Sequence, residues 1–318
     1  MSLLSEKIEE RYDREPGLAK IIEEMYDREL QLAGRAAFQY GLLKDVRRKE
    51  LPIGDFPAVL FFNPGRVHSV MADVSDETLA TRQCFLCPEG LEDKQQTFLW
   101  DPDTSAETPR YAIRVNPFPI FAPHFTISTA RHEPQQIRGH YEDMLRFTTA
   151  LPEYTIFYNG ARCGASAPDH MHFQAIPLNS LPMQVYVDKN GRLPEFCPSA
   201  RWIRSDSIQD MTARFFALVD EFALKQQPPT YPQALPPRPD DADFNIISWY
   251  NGSYNTIILF RRQSRPACFF AEDPEERILI SPGAVEMCGV AVVSTEDSFN
   301  RLTANKLQAI INEVSITV

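Results

Sequence analysis

The most informative residues of the chain run Asn159-Gly160-Ala161-Arg162-Cys163-Gly164-Ala165-Ser166-Ala167-Pro168-Asp169-His170-Met171-His172-Phe173-Gln174. They follow Tyr154–Tyr158, a β-branched and aromatic run that reads as a strand. Small residues then form a loop, and a second short strand begins near His170. Side chains two apart in a strand share a face, so His170, His172 and Gln174 point one way while Met171, Phe173 and Ala175 point into packing. Three polar side chains on one face mark either a solvated surface or a site, because burying each without a partner costs about 1–3 kcal/mol. The loop favours a site. Backbone N–H groups at Gly164, Ala165 and Ser166 can approach an anion, the Ser166 hydroxyl adds a donor, and Asn159 adds another where the first strand ends. On such a platform His172 can act as a nucleophile in its neutral form, provided a backbone carbonyl holds its other nitrogen. Gln174 cannot serve as an acid, but its amide can hold a phosphate oxygen.

The flanking sequence reads as α+β. Leu18, Ile21, Ile22, Met25, Leu42, Leu43 and Val46 recur at helical spacing, so residues 1–50 are expected to be helical, with Arg47, Arg48 and Lys49 as a solvated helix end. Strands are predicted at Val59–Phe62, Tyr111–Val115 and Phe125–Ser128, and a helix at Arg138–Leu151. Between Gln226 and Asp243, Pro228, Pro229, Pro232, Pro236, Pro237 and Pro239 exclude both helix and inner strand. Beyond them, Asn245–Tyr250, Tyr254–Arg261 and Ala267–Phe270 read as a meander, Val290–Val293 as a strand and Thr303–Val314 as a helix. The expected organisation is a helical segment (1–50), a catalytic half (51–225), an extended connector (226–243) and a C-terminal half (244–318). The sheets should be largely antiparallel with flanking helices, and the two halves related.

Composition narrows the function. The chain has 318 residues, with 43 acidic against 32 basic side chains and a formal net charge of −11, which argues against a broad nucleic-acid or anionic-membrane surface. At 43% hydrophobic it can bury a core, and no apolar run approaches the roughly 18 residues of a membrane span. The acidic start of the chain is unlike a secretory signal, so a cytoplasmic location is expected. A small phosphorylated substrate needs only one basic pocket. Arg110, Arg114, Arg131 and Arg138, against Glu133 alone, form a candidate stretch, and Arg66 in Asn63-Pro64-Gly65-Arg66 could reach a phosphate. Cys84-Phe85-Leu86-Cys87 is a close cysteine pair, which in a reducing compartment reads as metal-binding or redox.

The Asn159–Gln174 segment resembles the active-site motif of the histidine-triad (HIT) superfamily in its transferase branch: Asn, a loop containing Gly and Ser, Pro, then His-x-His-x-Gln. That branch contains galactose-1-phosphate uridylyltransferase, the ATP adenylyltransferases (diadenosine tetraphosphate phosphorylases) and the GDP-hexose phosphorylases. Gln174 stands where the hydrolase branch has a third His, and Asp169 departs from the pattern by separating Pro168 from His170. Asn116-Pro117-Phe118-Pro119-Ile120, followed by His124–Ser128 and Arg131-His132, resembles the strand-turn-strand that holds the nucleotide in this family. Ser253-Tyr254-Asn255 with Arg261-Arg262, and Ser281–Glu286, resemble the degenerate second half of the phosphorylases. The resemblance implies a HIT-like fold and a nucleotidyltransferase or phosphorylase acting on a nucleoside diphosphate sugar or dinucleoside polyphosphate. The reaction would run through a nucleotidyl-histidine at His172, with Gln174, Asn159, Gly164, Ser166, Arg66, Asn116 and Phe118 around it and phosphate or a sugar 1-phosphate as acceptor. It also implies a structural Zn²⁺ on Cys84, Cys87, His132 and His170, with His124 as the substitute for His132, and active sites that can be shared in a homodimer. The alternatives are a HIT-type hydrolase with water as acceptor, and a zinc-stabilised nucleotide-binding protein without turnover. For the cysteines, the alternative is an unligated pair in a turn.

Overall fold

In the computed structural model the described residues are 17–32, 34–67, 73–91, 95–103, 106–223, 243–263 and 265–316. The prolines of the connector and the first 16 residues lie outside them.

The strands are β1 (Arg47–Ile53), β2 (Phe56–Phe62), β3 (Phe98–Trp100), β4 (Tyr111–Val115), β5 (Phe125–Thr129), β6 (Tyr154–Asn159), β7 (His172–Pro177), β8 (Ala200–Ser205), β9 (Phe244–Tyr250), β10 (Tyr254–Phe260) and β11 (Val290–Val293). Eight of them form one antiparallel sheet in the order β3-β4-β5-β7-β6-β9-β10-β8, and the other three form a small sheet in the order β1-β2-β11 with β2 and β11 parallel. The mixed α+β architecture with predominantly antiparallel sheets is the one expected.

Period-two alternation sorts the residues of the large sheet onto two faces. Ile113, Val115, Phe125, Ile127, Ile156, Phe173, Ala175, Ile246 and Ile258 enter one core cluster. Against it lie the buried faces of α1 (Leu18–Gln31), α4 (Tyr141–Ala150) and α6 (Ile208–Ala223), through residues such as Ile22, Met144 and Phe215. Phe157, Ile176, Ile247, Trp249, Ile257 and Leu259 enter a second cluster with the small sheet, α5 (Pro182–Asn190) and α9 (Ala304–Val314). His172 and Gln174 stand on this second face, where the apolar pattern is broken by polar residues.

Two local expectations are corrected. Arg47, Arg48 and Lys49 open β1 instead of ending a helix, because the backbone from Arg47 pairs in register with Phe62 and its neighbours. Their cations are used on the surface: Arg47 bonds Glu296 at 2.8 Å and Arg48 lies 4.7 Å over the Phe61 ring. The run Ala267–Phe270 is not a strand. Pro266 precedes a single 3-10 turn, Ala267–Phe269, and its carbonyl accepts the Phe269 N–H.

Candidate active site

His172 is the first residue of β7 and lies opposite Ser128 of β5, while Gln174 lies opposite Thr126 of β5 and Phe157 of β6. The backbone of His172 is held by one side chain. Gln135 accepts from the His172 N–H at 2.7 Å and donates to the carbonyls of His172 and Asn159, at 3.1 and 2.8 Å. Gln135 thus ties the ends of β6 and β7 together. The sequence offered no signal for it beyond a polar residue in a loop.

The His172 ring is buried, and its Nδ1 lies 2.8 Å from the carbonyl oxygen of His170. A carbonyl only accepts, so Nδ1 carries the proton and Nε2 presents its lone pair. Burial lowers the ring's pKa to about 4, with the bond to His170 opposing. At neutral pH His172 is therefore an uncharged, oriented base.

Gln174 is oriented as tightly. His124, fully buried at the entry to β5, lies with Nε2 2.9 Å from Gln174 Oε1, and its Nδ1 accepts from the Ile120 N–H at 3.3 Å. Asn116 Nδ2 bonds Thr126 Oγ1 at 3.0 Å and Gln174 Oε1 at 3.4 Å, while its Oδ1 accepts from the Phe118 N–H at 2.8 Å. His124 is therefore a neighbour of Gln174 and not a partner of the thiols. Burial, then the Arg66 charge, lowers its pKa to about 3. Its position directly before an apolar strand is the signal that could have marked it as an inward-facing ring.

The loop after β6 packs on the chain near residue 283. Asn159 Oδ1 accepts from the Ala284 N–H at 2.8 Å, at the start of α7 (Ala284–Met287). Gly164 adopts φ +98°, and a Cβ there would lie 3.1 Å from the Pro282 carbonyl oxygen. The positive φ favours glycine, and the close approach leaves little room for a Cβ. The buried Arg261 bonds the carbonyls of Pro282 and Gln263 at 2.6 and 2.8 Å, and Arg162 makes a two-point ion pair with Asp243 at 3.0 and 2.8 Å. Among the described residues, the N–H groups of Gly164, Ala165 and Ser166 and the exposed Ser166 side chain have no protein partner.

On the other side, Asn63 donates to the Pro119 carbonyl at 3.1 Å and Arg66 to the Phe118 carbonyl at 2.7 Å, which bonds the 63–66 turn to the 116–120 turn. Phe118 is half-buried, with the Arg35 guanidinium 5.6 Å over its ring. Three of the four arginines expected to form a basic stretch are engaged elsewhere: Arg110 pairs with Asp143, Arg138 with Asp220, and Arg114 is buried, while Arg131 is exposed.

Cys84, Cys87, His132 and His170 converge, with one ligand atom from each and all of these within 4.8 Å of one another. His170 Nδ1 lies 3.3 Å from Cys84 Sγ and 3.5 Å from Cys87 Sγ, and His132 Nδ1 lies 3.2 Å from Cys87 Sγ. Tetrahedral Zn²⁺, with bonds of about 2.0–2.3 Å, separates its ligand atoms by roughly 3.3–3.8 Å, close to these three sulfur–nitrogen distances, and the four residues could hold one ion. His170 precedes β7 instead of joining it. Its Nε2 lies 2.9 Å from the Thr129 carbonyl, which leaves Nδ1 unprotonated toward the sulfurs, the arrangement a ligating imidazole needs. Burial, then the hydrogen bond and charge of Cys84, push the Cys87 thiol up to about 12. A divalent cation between the sulfurs reverses that balance. Arg114 supports the knuckle from below, donating to the Leu86 carbonyl at 3.3 Å and to Ser128 Oγ at 2.9 Å. Asp169, the residue that departs from the motif, is paired with Arg82 beside the cysteines, and Arg82 also lies 3.9 Å over the Phe85 ring.

A family model described as a domain of unknown function (DUF4922) matches residues 25–177, the segment that carries both clusters. No curated protein matches the chain by sequence. Solved structures do match. Yeast Ap4A phosphorylase Apa2 superposes with a TM-score of 0.62 at 15% identity, covering 97% of this chain and 98% of that one. Apa2 in complex with AMP gives 0.55 at 14% identity, with 92% and 96% covered. Apa2 in complex with Ap4A gives 0.58 at 12%, with 93% and 97% covered. The chain thus spans its neighbours almost end to end, and it has the HIT-like fold of yeast Ap4A phosphorylase Apa2.

Proposed function

We propose that the protein is a nucleotidyltransferase of the phosphorylase type, acting on a dinucleoside polyphosphate or nucleoside diphosphate sugar through a nucleotidyl-histidine. The observation that carries this reading is the oriented lone pair of His172 Nε2 on the same face as the anchored Gln174 amide. Apa2, whose structures contain AMP and Ap4A, supports the substrate class.

In the first displacement the Nε2 lone pair forms a bond to the α-phosphorus. The bond from phosphorus to the bridging oxygen breaks, and its electron pair leaves with the departing phosphate or sugar phosphate. A phosphate leaving group needs little protonation, which suits an amide at position 174. In the second, an oxygen of the acceptor phosphate attacks phosphorus and returns the electron pair to Nε2. The unpartnered N–H groups at 164–166 and the Gln174 and Asn159 amides would stabilise charge on the non-bridging oxygens, the largest contribution in reactions of this kind. The Cys84, Cys87, His132, His170 cluster suits a structural Zn²⁺. Four protein ligands leave no position for water, and the ion would fix the backbone on which the His172 Nδ1–H rests.

The test is product analysis with a dinucleoside polyphosphate. Nucleoside diphosphate formed only when phosphate is present supports the phosphorylase. Nucleoside monophosphate formed equally without phosphate would convert the reading to a hydrolase. No turnover and no covalent label with any nucleotide would reduce it to a binding protein.

A further inference from the structure

Besides the contact of Arg35 with Phe118, the N-terminal helices reach the candidate site through the hydroxyl of Tyr40. Tyr40, on α2 (Arg35–Leu42), is buried, and its hydroxyl donates to the His124 carbonyl at 3.0 Å while accepting from the His124 N–H at 3.1 Å. One hydroxyl therefore engages both backbone groups of a single residue, where the chain enters β5. Burial holds this phenol well above its ordinary range, so it keeps the proton it donates.

Two backbone N–H groups then set the polarity of everything downstream. The Ile120 N–H occupies His124 Nδ1, so the neutral ring must carry its proton on Nε2 and donate it to Gln174 Oε1. The Phe118 N–H occupies Asn116 Oδ1, so the Asn116 amide nitrogen faces the same oxygen. With two donors on Oε1, the end of Gln174 turned away from its anchors is the nitrogen with its two hydrogens. A flipped amide would present an oxygen to a phosphate and repel it.

We propose that Tyr40 and His124 are positioning residues that hold the Gln174 amide N–H toward the phosphate oxygens reacting at His172. The N-terminal helices are in this view part of the active site, acting through a relay from Tyr40 to His124 to Gln174. The proposal rests on the phosphoryl-transfer reading above for its chemistry, but not for its geometry.

The experiment compares Tyr40→Phe, His124→Phe, Gln174→Ala and the double variant His124→Phe/Gln174→Ala. Tyr40→Phe keeps the ring against Tyr26, 5.1 Å away between centroids, and serves as the gentler probe if His124→Phe folds poorly. The expected loss in kcat is roughly ten- to a hundredfold for His124→Phe, with KM little changed, and a few-fold for Tyr40→Phe. In the Gln174→Ala background, His124→Phe should cost less than about twofold more, whereas a further tenfold loss there would overturn the relay. A second readout needs no turnover. In protein labelled with ¹⁵N-glutamine, the Gln174 amide pair, assigned by its disappearance in Gln174→Ala, should shift and exchange faster with water in Tyr40→Phe and His124→Phe. An unmoved amide pair in both would overturn the positioning role. Absence of turnover in the unmodified protein, with the amide still responding, would instead sink the transfer reading alone.

Discussion

His172 Nδ1 lies 2.8 Å from the carbonyl oxygen of His170, so the ring proposed as nucleophile rests on the backbone of the residue whose own ring faces Cys84 and Cys87. The proposed nucleophile and the cysteine cluster are separated by two residues.

His172→Ala should remove the nucleophile and leave the surrounding donors in place. Turnover is expected to fall by roughly three orders of magnitude or more. Radiolabel from a nucleotide substrate should be trapped on the unmodified protein and lost in the variant, while nucleotide affinity measured by calorimetry changes little.

One equivalent of zinc is expected in the purified protein, measured by elemental analysis. Cys84→Ser, or prolonged exposure to a chelator, should lower the melting midpoint by on the order of 5 °C or more, because the knuckle, His132 and His170 lose their common centre. Turnover should fall with it through the shifted His170 carbonyl.

Acid should destabilise the fold through His124. Its pKa is about 3 in the folded chain, against about 6.5 for a free imidazole, so the unfolded chain binds a proton that the folded one refuses. Stability from this ring is fully present above pH 6.5 and is lost as pH falls toward 3, at about 1.4 kcal/mol per pH unit. Denaturant unfolding between pH 6.5 and 4.5 should show a slope shallower by that amount in His124→Phe.

Arg261→Met should cost about 2–4 kcal/mol in denaturant unfolding, because the carbonyls of Pro282 and Gln263 would remain buried without their donor. An effect below about 0.5 kcal/mol would mean that the 282–284 segment is held by other contacts.

Much of this was legible in the residues themselves. Alternation placed Phe173 and Ala175 in the core and His172 with Gln174 on the opposite face, and strands such as Tyr111–Val115 and Val290–Val293 have the predicted limits. The resemblance brought His132 and His170 to the cysteine pair, which spacing alone could not, since 45 residues separate Cys87 from His132. What escaped was set by long-range pairing. Arg47–Lys49 has the composition of a helix end and becomes a strand only because β2 lies beside it. Gln135 and Tyr40 act through hydrogen bonds to residues 24 to 84 positions away, and His124 reaches Gln174 across 50, and no local pattern encodes those pairings.

The β9–β10 hairpin lies between β6 and β8 in the large sheet, although both of those strands precede it by dozens of residues. On the ribosome, the inner edges of β6 and β8 have no neighbour until about residue 260 has emerged. Before then Asn159 faces neither Asn245 nor the Ala284 N–H. A truncated or stalled nascent chain would therefore expose two sticky strand edges together with an unsupported loop after β6, and newly made copies should need protection from aggregation until the last third of the chain is delivered.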